Sequence, residues 1–120
     1  MTNEKMSTTK TGRAAEQAAA RFLKENGMEI VAANYRSRMG EIDLIARDGK
    51  AYVFVEVKYR KSAAGTSPLE AVDLEKQGRI ARSALCFLQE KRLPMETPCR
   101  FDVIGFEGDK LIYVRDAFSV

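Results

Sequence analysis

Along residues 12–26 apolar side chains return at helical spacing: Ala15, Ala18, Ala19, Phe22 and Leu23 share one side, while Arg13, Gln17, Arg21, Lys24 and Glu25 take the other. The pattern predicts a helix from Gly12 to Asn26, stopped by Gly27. At about 100° per residue Glu16 falls beside Leu23, at the edge of the apolar stripe. A carboxylate there either reaches around the rim into an ion pair or serves a site. The period then changes. Glu29–Tyr35, Glu41–Arg47 and Ala51–Arg60 carry β-branched and aromatic residues between turn residues and read as strands, with Asp48-Gly49 as a two-residue hairpin turn. Arg36-Ser37-Arg38-Met39-Gly40 reads as a basic loop, and residues 61–68, with Lys61, Ser62, Gly65 and Thr66, as a flexible connection; both are placed to touch phosphate.

A second helix is predicted to start either near Ser67, where Pro68 and Glu70 complete a capping box, or at Asp73, and to run to about Lys91 before Pro94. Its inward stripe reads as Ile80, Ala81, Ala84, Leu85 and Leu88, with Gln77 in the same row. A polar residue on a core-facing row needs a partner. Arg100–Phe106 and Lys110–Arg115 complete the chain as strands across a Glu107-Gly108-Asp109 turn. The element order is αβββαββ, and a helix between the third and fourth strands fits a right-handed parallel crossover. The expected fold is therefore α/β: a mixed β-sheet that begins with a three-strand meander and is flanked by helices.

Composition narrows this without deciding it. With 120 residues, 45% of them hydrophobic, the chain can bury roughly 60–70% of its unfolded surface, enough for one core. One domain is expected over residues 11–120, after a disordered leader of residues 1–10. The 20 Lys and Arg against 17 Asp and Glu leave +3, which permits nucleic-acid binding without demanding it. Histidine is absent, and Cys86 and Cys99 show no ligand spacing, which argues against a zinc site and against Ser-His or Cys-His catalysis. Both cysteines are expected as reduced thiols. No apolar run reaches membrane-spanning length and the N-terminus has no signal-like segment, so the expected location is cytoplasmic, with no membrane partner.

Candidate chemistry lies on the second and third strands. Side chains alternate along a strand, so Glu56 and Lys58 share a face about 6–7 Å apart, with Val53, Val55 and Val57 on the other. Pairing through Asp48-Gly49 brings Asp43 opposite Val55 to Glu56, and a slip of one residue decides whether the carboxylates converge. Converging carboxylates repel unless a proton or cation neutralises them; Lys58 supplies part of that neutralisation and a bound divalent cation the rest. Oxygen-only ligands favour magnesium or manganese over zinc. Such a set suits phosphodiester hydrolysis, with the cation polarising a phosphate oxygen and Lys58 orienting water or offsetting transition-state charge. Each part also has an ordinary reading. Glu56-x-Lys58 alone is a solvated sheet face, Gln77 a helix residue bonded to nearby backbone, Glu16 a rim ion pair, and Arg36, Arg38, Arg60 and Lys61 solvated charges.

The joint pattern resembles a known family. Gly12-Arg13-x-x-Glu16, Asn34-Tyr35-Arg36-Ser37-Arg38-x-Gly40-Glu41-Ile42-Asp43-Leu44-Ile45, Val53-Phe54-Val55-Glu56-Val57-Lys58-x-Arg60, Lys76-Gln77 and Arg100-Phe101-Asp102-Val103-Ile104 together look like the YraN family of bacterial proteins. That family is similar to the restriction-endonuclease-like PD-(D/E)xK nucleases and, among them, to the archaeal Holliday-junction resolvases. The resemblance implies Asp43 and Glu56 as metal ligands, Lys58 as catalytic lysine, Glu16 as an accessory acid, Gln77 as a polar residue facing the site, and Ser37 near the scissile phosphate. Ala15 stands where the family commonly has glycine. Phosphate contacts are expected from Arg13, Arg36, Ser37, Arg38, Arg60, Lys61, Lys76 and Arg79. The expected activity is a metal-dependent endonuclease on nucleic acid, DNA before RNA and including branched DNA; by analogy with resolvases a homodimer is expected too. The alternative is a non-catalytic nucleic-acid-binding or protein-interaction module that keeps the nuclease fold.

Overall fold

The computed structural model describes residues 8–60 and 72–119, with side chains over 12–59 and 72–119. In chain order the elements are α1 (Thr8–Glu25), β1 (Glu29–Ser37), β2 (Gly40–Asp48), β3 (Ala51–Arg60), α2 (Leu74–Glu90), β4 (Cys99–Glu107) and β5 (Lys110–Phe118). The strands form one sheet in the order of the chain. Neighbours are antiparallel except β3 and β4, which run parallel. A parallel pair needs a long connection, and α2 lies within it. The expected mixed sheet in the order αβββαββ is the one that forms. Lys61 and the alternative helix start at Ser67, Pro68 and Glu70 lie outside the described residues.

The two helices cover opposite faces. On one side Ala19, Leu23 and Met28 pack on Leu44, Ala46, Val53, Val55 and Ile104. On the other Ile80, Ala84, Phe87 and Leu88 pack on Ile42, Ile45, Phe54, Phe101 and Val103. Alternation along β3 thus sends Val53 and Val55 to α1 and Phe54 to α2, and it carries Glu56 and Lys58 to the α2 face. Helix α1 begins at Thr8, inside the stretch expected as leader. It ends as expected at Gly27, whose φ of +89° closes a turn in which Met28 N–H donates to Leu23 O and Gly27 N–H to Lys24 O. Ala15 is buried.

Helix α2 starts at the second of the two expected positions. Asp73 is its N-cap, its carboxylate accepting from Lys76 N–H at 2.9 Å. The inward face differs from the expected stripe. Ile80, Ser83, Ala84, Phe87 and Leu88 are buried, whereas Leu85 is 42% exposed. This turns the helix by roughly 60° from the expected orientation, at 100° per residue. Phe87 sets the rotation: it packs edge-on against Phe54 and Tyr35 and lies 5.7 Å from Tyr52. Ser83 holds it, with its Oγ 3.0 Å from Ser37 Oγ. Gly40 permits the approach, since a Cβ there would lie 3.3 Å from Ser83 Oγ and its φ of +147° suits glycine. The expected basic loop contracts to an Arg38-Met39 turn, with Arg36 and Ser37 in β1 and Gly40 in β2.

Strict alternation fails twice in β1, first at the irregularity between Ile30 and Ala32, which face opposite helices, and once in β2. Ile42 and Ile45 both face α2, as do Ala32 and Tyr35, although an odd spacing should send them to opposite faces. Between Ala32 and Tyr35, Asn34 adopts φ +53°, the left-handed region that asparagine tolerates. The β1–β2 register places Asn34 across from Asp43, so both strands kink at the level of that acid.

Among the described residues the sheet buries two acids, Glu56 and Asp102, and Asp102 has 0% exposure. It accepts from Arg100 Nε at 3.0 Å, Arg100 Nη2 at 3.1 Å, Asp116 N–H at 2.9 Å and the Tyr113 hydroxyl. Arg100 also reaches Asp48 at 3.1 Å, which Arg115 meets at 3.3 Å. This network ties the β2–β3 turn to β4 and β5. β5 runs past the expected end at Arg115 to Phe118, which stacks on Phe101 with centroids 5.1 Å apart.

Candidate active site

The β2–β3 ladder runs from Asp48 opposite Ala51 to Leu44 opposite Val55. The next pair in that register is Asp43 and Glu56, so the slip that would separate the carboxylates does not occur. Beyond Leu44 the ladder gives way to a side chain: Val57 N–H donates to Asp43 Oδ2 at 2.8 Å. The kink at Asn34 and Asp43 thus turns Asp43 across its neighbour strand, where its carboxylate takes a backbone donor.

Glu56 is only 6% exposed, and its Oε2 accepts from two ammonium groups: Lys76 Nζ at 2.6 Å and Lys58 Nζ at 3.2 Å. The Lys76 contact is as short as the strong charge-assisted kind, and the Lys58 contact is longer and weaker. Asp43 has less positive charge about it. Burial, then the Glu56 charge, raise its proton affinity, the Val57 N–H lowers it and Glu16 raises it further; the result is a pKa pushed up to about 7. Burial lowers the Lys58 pKa, and the adjoining Lys76 lowers it more, against the attraction of Glu56. Burial also disfavours the Lys76 ammonium, but bonding to Glu56 and to Lys58, with the Glu56 and Asp43 charges, outweighs it and raises the Lys76 pKa.

Asp43, Glu56 and Lys76 open on a cleft of about 360 Å³ lined also by Gly40, Glu41, Arg79 and Ile80, and Lys58 is not among its lining residues. Asp43, Glu56 and Lys58 meet as the sequence suggested. Glu16, half-exposed on α1, adds its charge to Asp43 from the other side of the sheet. Gln77 is not among the lining residues: its side-chain amide donates to Val72 O at 3.0 Å beside the N-cap. Ser37 is engaged in the turn, bonding Gly40 O, Met39 N–H and Ser83 Oγ. Lys76, expected among outer phosphate contacts, instead binds Glu56, and Arg79 stands at the cleft paired with Glu75 at 3.4 Å. Arg13, Arg36 and Arg38 are exposed. Gly40 lies against Arg79, so the Arg38-Met39 turn and Arg79 flank one cleft. The side chains of Arg60 and Lys61 lie outside the described residues. Tyr35 packs on Phe87 and donates to Glu90 at 2.9 Å; burial and that partner push its pKa up to about 12. Tyr59 stays exposed.

The sequence reading missed Glu41 at the cleft and the inward place of Lys76. Glu41 had a signal, two residues before Asp43 in the same strand. Lys76 had one as well, four residues before Ile80, once Phe87 is counted in the stripe.

Among the described residues no group of three His, Cys, Asp or Glu side chains is placed to hold a metal ion. The donor set nevertheless fits magnesium or manganese: paired carboxylate oxygens, no softer ligand, and a position on Glu56 Oε2 where the Lys76 ammonium already stands as a cation. Magnesium is commonly held by one or two carboxylates with water and substrate phosphate supplying the rest.

A helix on each face of a five-stranded mixed sheet, with acids and lysines meeting at a cleft beside α2, defines an α/β domain of the class expected from the motifs. The chain belongs to the uncharacterised protein family UPF0102, matched over residues 15–106. It is 41% identical over 118 residues to the UPF0102 protein YraN of Salmonella newport, covering 98% of this chain and 90% of that one. UPF0102 proteins of Lachnoclostridium phytofermentans and Syntrophus aciditrophicus are 45% identical over 104 residues and 46% over 115, covering 87% and 92% of this chain and 88% and 90% of theirs. The YraN resemblance read from the motifs therefore holds. No helix among the described residues is long and apolar enough to cross a membrane.

Proposed function

We propose that this protein is a metal-dependent endonuclease that hydrolyses nucleic-acid phosphodiester bonds, with DNA, including branched DNA, as its substrate class. The observation that carries this reading is the meeting of Asp43 and Glu56 at one cleft, with Asp43 short of positive charge and Lys58 and Lys76 on the neighbouring carboxylate. A pair of acids serving only to hold strands together gains nothing from mutual repulsion.

Asp43 and Glu56 would hold magnesium or manganese, which when bound supplies Lewis-acid stabilisation of phosphate charge and a lowered pKa for water. Lys58 has a lowered proton affinity and contacts Glu56, with which it shares the α2 face of β3. It can orient water or place positive charge beside the phosphate as negative charge grows. Arg79 and Arg38, with Arg36, offer phosphate contacts on either side that position the backbone without reading sequence. Glu16 acts on the site through its charge on Asp43.

One observation favours the second reading, a nucleic-acid-binding module without turnover: Glu56 is already neutralised by lysines of its own chain. The test is cleavage of a panel of duplex, single-stranded, flapped and four-way-junction DNA, and RNA, with magnesium or manganese. Wild type is expected to cut, and Glu56→Ala, Lys58→Ala and chelator each to lower the rate at least 100-fold. Equal cutting by wild type and variants would reveal a contaminant and overturn the reading. Salt-dependent binding with no cutting of any substrate would replace it with the module.

A further inference from the structure

Two cations of this chain converge on one oxygen. Lys58 is the expected partner of Glu56, two residues along β3, but Lys76 comes from α2 and makes the shorter contact, 2.6 Å against 3.2 Å, on the same Oε2. Its position is fixed from several sides. Asp73 caps the helix through the Lys76 amide itself, and Phe87 and Ser83 fix the rotation of α2 that turns the Lys76 side chain inward. Lys76 also lines the cleft, together with Asp43, Glu56 and Arg79. It holds an oxygen of Glu56, one of the two acids that would hold a divalent cation.

We propose that Lys76 is a built-in competitor for the metal: its ammonium occupies a carboxylate oxygen of Glu56 in the free protein, and it gives up that oxygen when a divalent cation binds both acids. The inference rests on the metal reading of the site given above. Oε2 already carries two ammonium contacts, and a divalent cation arriving beside them meets their repulsion at close range, so binding of the ion drives away the ammonium that holds this oxygen most closely. A displaced Lys76 enters the cleft beside Arg79, where a phosphate group would receive it. Metal and phosphodiester therefore help one another: the phosphate draws the lysine away and the metal takes the oxygen it leaves. Linkage makes that help reciprocal. Lys76 is thus a positioning residue whose two partners are Glu56 in the empty protein and substrate phosphate in the loaded one. The substrate class that fits is a polyanionic backbone, which brings a phosphate to the cleft together with others for Arg36 and Arg38.

The test measures binding of Mn²⁺ alone, by electron paramagnetic resonance of the free ion at pH 8, to the full chain in wild-type, Lys76→Met, Lys76→Arg, Asp43→Asn and Glu56→Gln forms. Methionine keeps the volume and removes the charge; arginine keeps the charge. Lys76→Met is expected to bind Mn²⁺ at least tenfold more tightly than wild type, and Lys76→Arg within threefold of it. Added 16-base-pair duplex DNA, with Ca²⁺ replacing Mn²⁺ and calorimetry as the readout, should tighten metal binding to wild type by a larger factor than to Lys76→Met, in which only direct phosphate coordination remains. Mn²⁺ binding to folded Lys76→Met that equals or falls below wild type would overturn the proposal while leaving the site reading intact. If Lys76→Met does not fold, judged by circular dichroism, Lys76→Gln takes its place under the same criterion. Wild-type binding that is the same in Asp43→Asn and Glu56→Gln would remove the metal site itself, and the proposal with it.

Discussion

Asp43 holds its proton to a pH near 7, whereas an aspartate in the unfolded chain releases it near 3.8. Between those values the folded protein keeps a proton that the unfolded chain gives up, so stability from this group is complete below about pH 4 and is lost as pH rises through about 7. The difference is on the order of 2–4 kcal/mol once the partial openness of the cleft is allowed for. Asparagine at this position can still accept from Val57 N–H and can donate to Glu56. Asp43→Asn is therefore expected to be more stable than wild type in metal-free urea titrations at pH 8, with the gap closing at pH 4. Magnesium at pH 8 should raise the wild type and not the variant. A gap that is the same at both pH values would mean that burial does not hold the proton. The acids themselves were legible in the sequence, because a strand ending in Glu-x-Lys beside a second acid is an uncommon pattern. Their convergence was not, since a register depends on pairing that one strand does not encode.

Helices and strands carry the next level of information, and α2 is where it misled. Counting Ala81 and Leu85 as inward, and leaving out Ser83 and Phe87, rotates the helix and puts Gln77 at the site in place of Lys76. A serine on the buried row is hidden from any count of apolar positions, because its partner, Ser37, is 46 residues away. Phe87, with 1% exposure, lies among Phe54, Tyr35 and Tyr52, so Phe87→Ala should cost about 3–5 kcal/mol in chemical denaturation. Leu85→Ala, at an exposed position, should cost less than about 1 kcal/mol. Equal losses would restore the expected orientation of the helix. The kink in β1 and β2 was equally out of reach. Period-two alternation describes a strand that stays regular, and here Asn34 and Asp43 break it together.

At the scale of the whole molecule, the order of elements was readable throughout, since each change of hydrophobic period matches a change of element. The second buried cluster was not. Arg100, Asp102 and Ile104 alternate like a half-solvated strand, and the groups that bury the first two, Asp48 and Tyr113, lie 52 and 11 residues away. Arg100 joins the β2–β3 turn to β4 and β5, so its loss should be felt as global stability. Arg100→Met is expected to lower the unfolding free energy by about 3–5 kcal/mol by stranding Asp102 without its counter-charge. A loss under 1 kcal/mol would mean that Tyr113 and the Asp116 amide suffice. Asp102 has a guanidinium, a phenol and an amide directed at it, and nothing of its bonding capacity is left over. This sheet therefore carries its own yardstick for a carboxylate whose work is architectural. By that measure Asp43, facing another acid and reluctant to ionise, is a bond the protein begins and leaves for a visitor to complete.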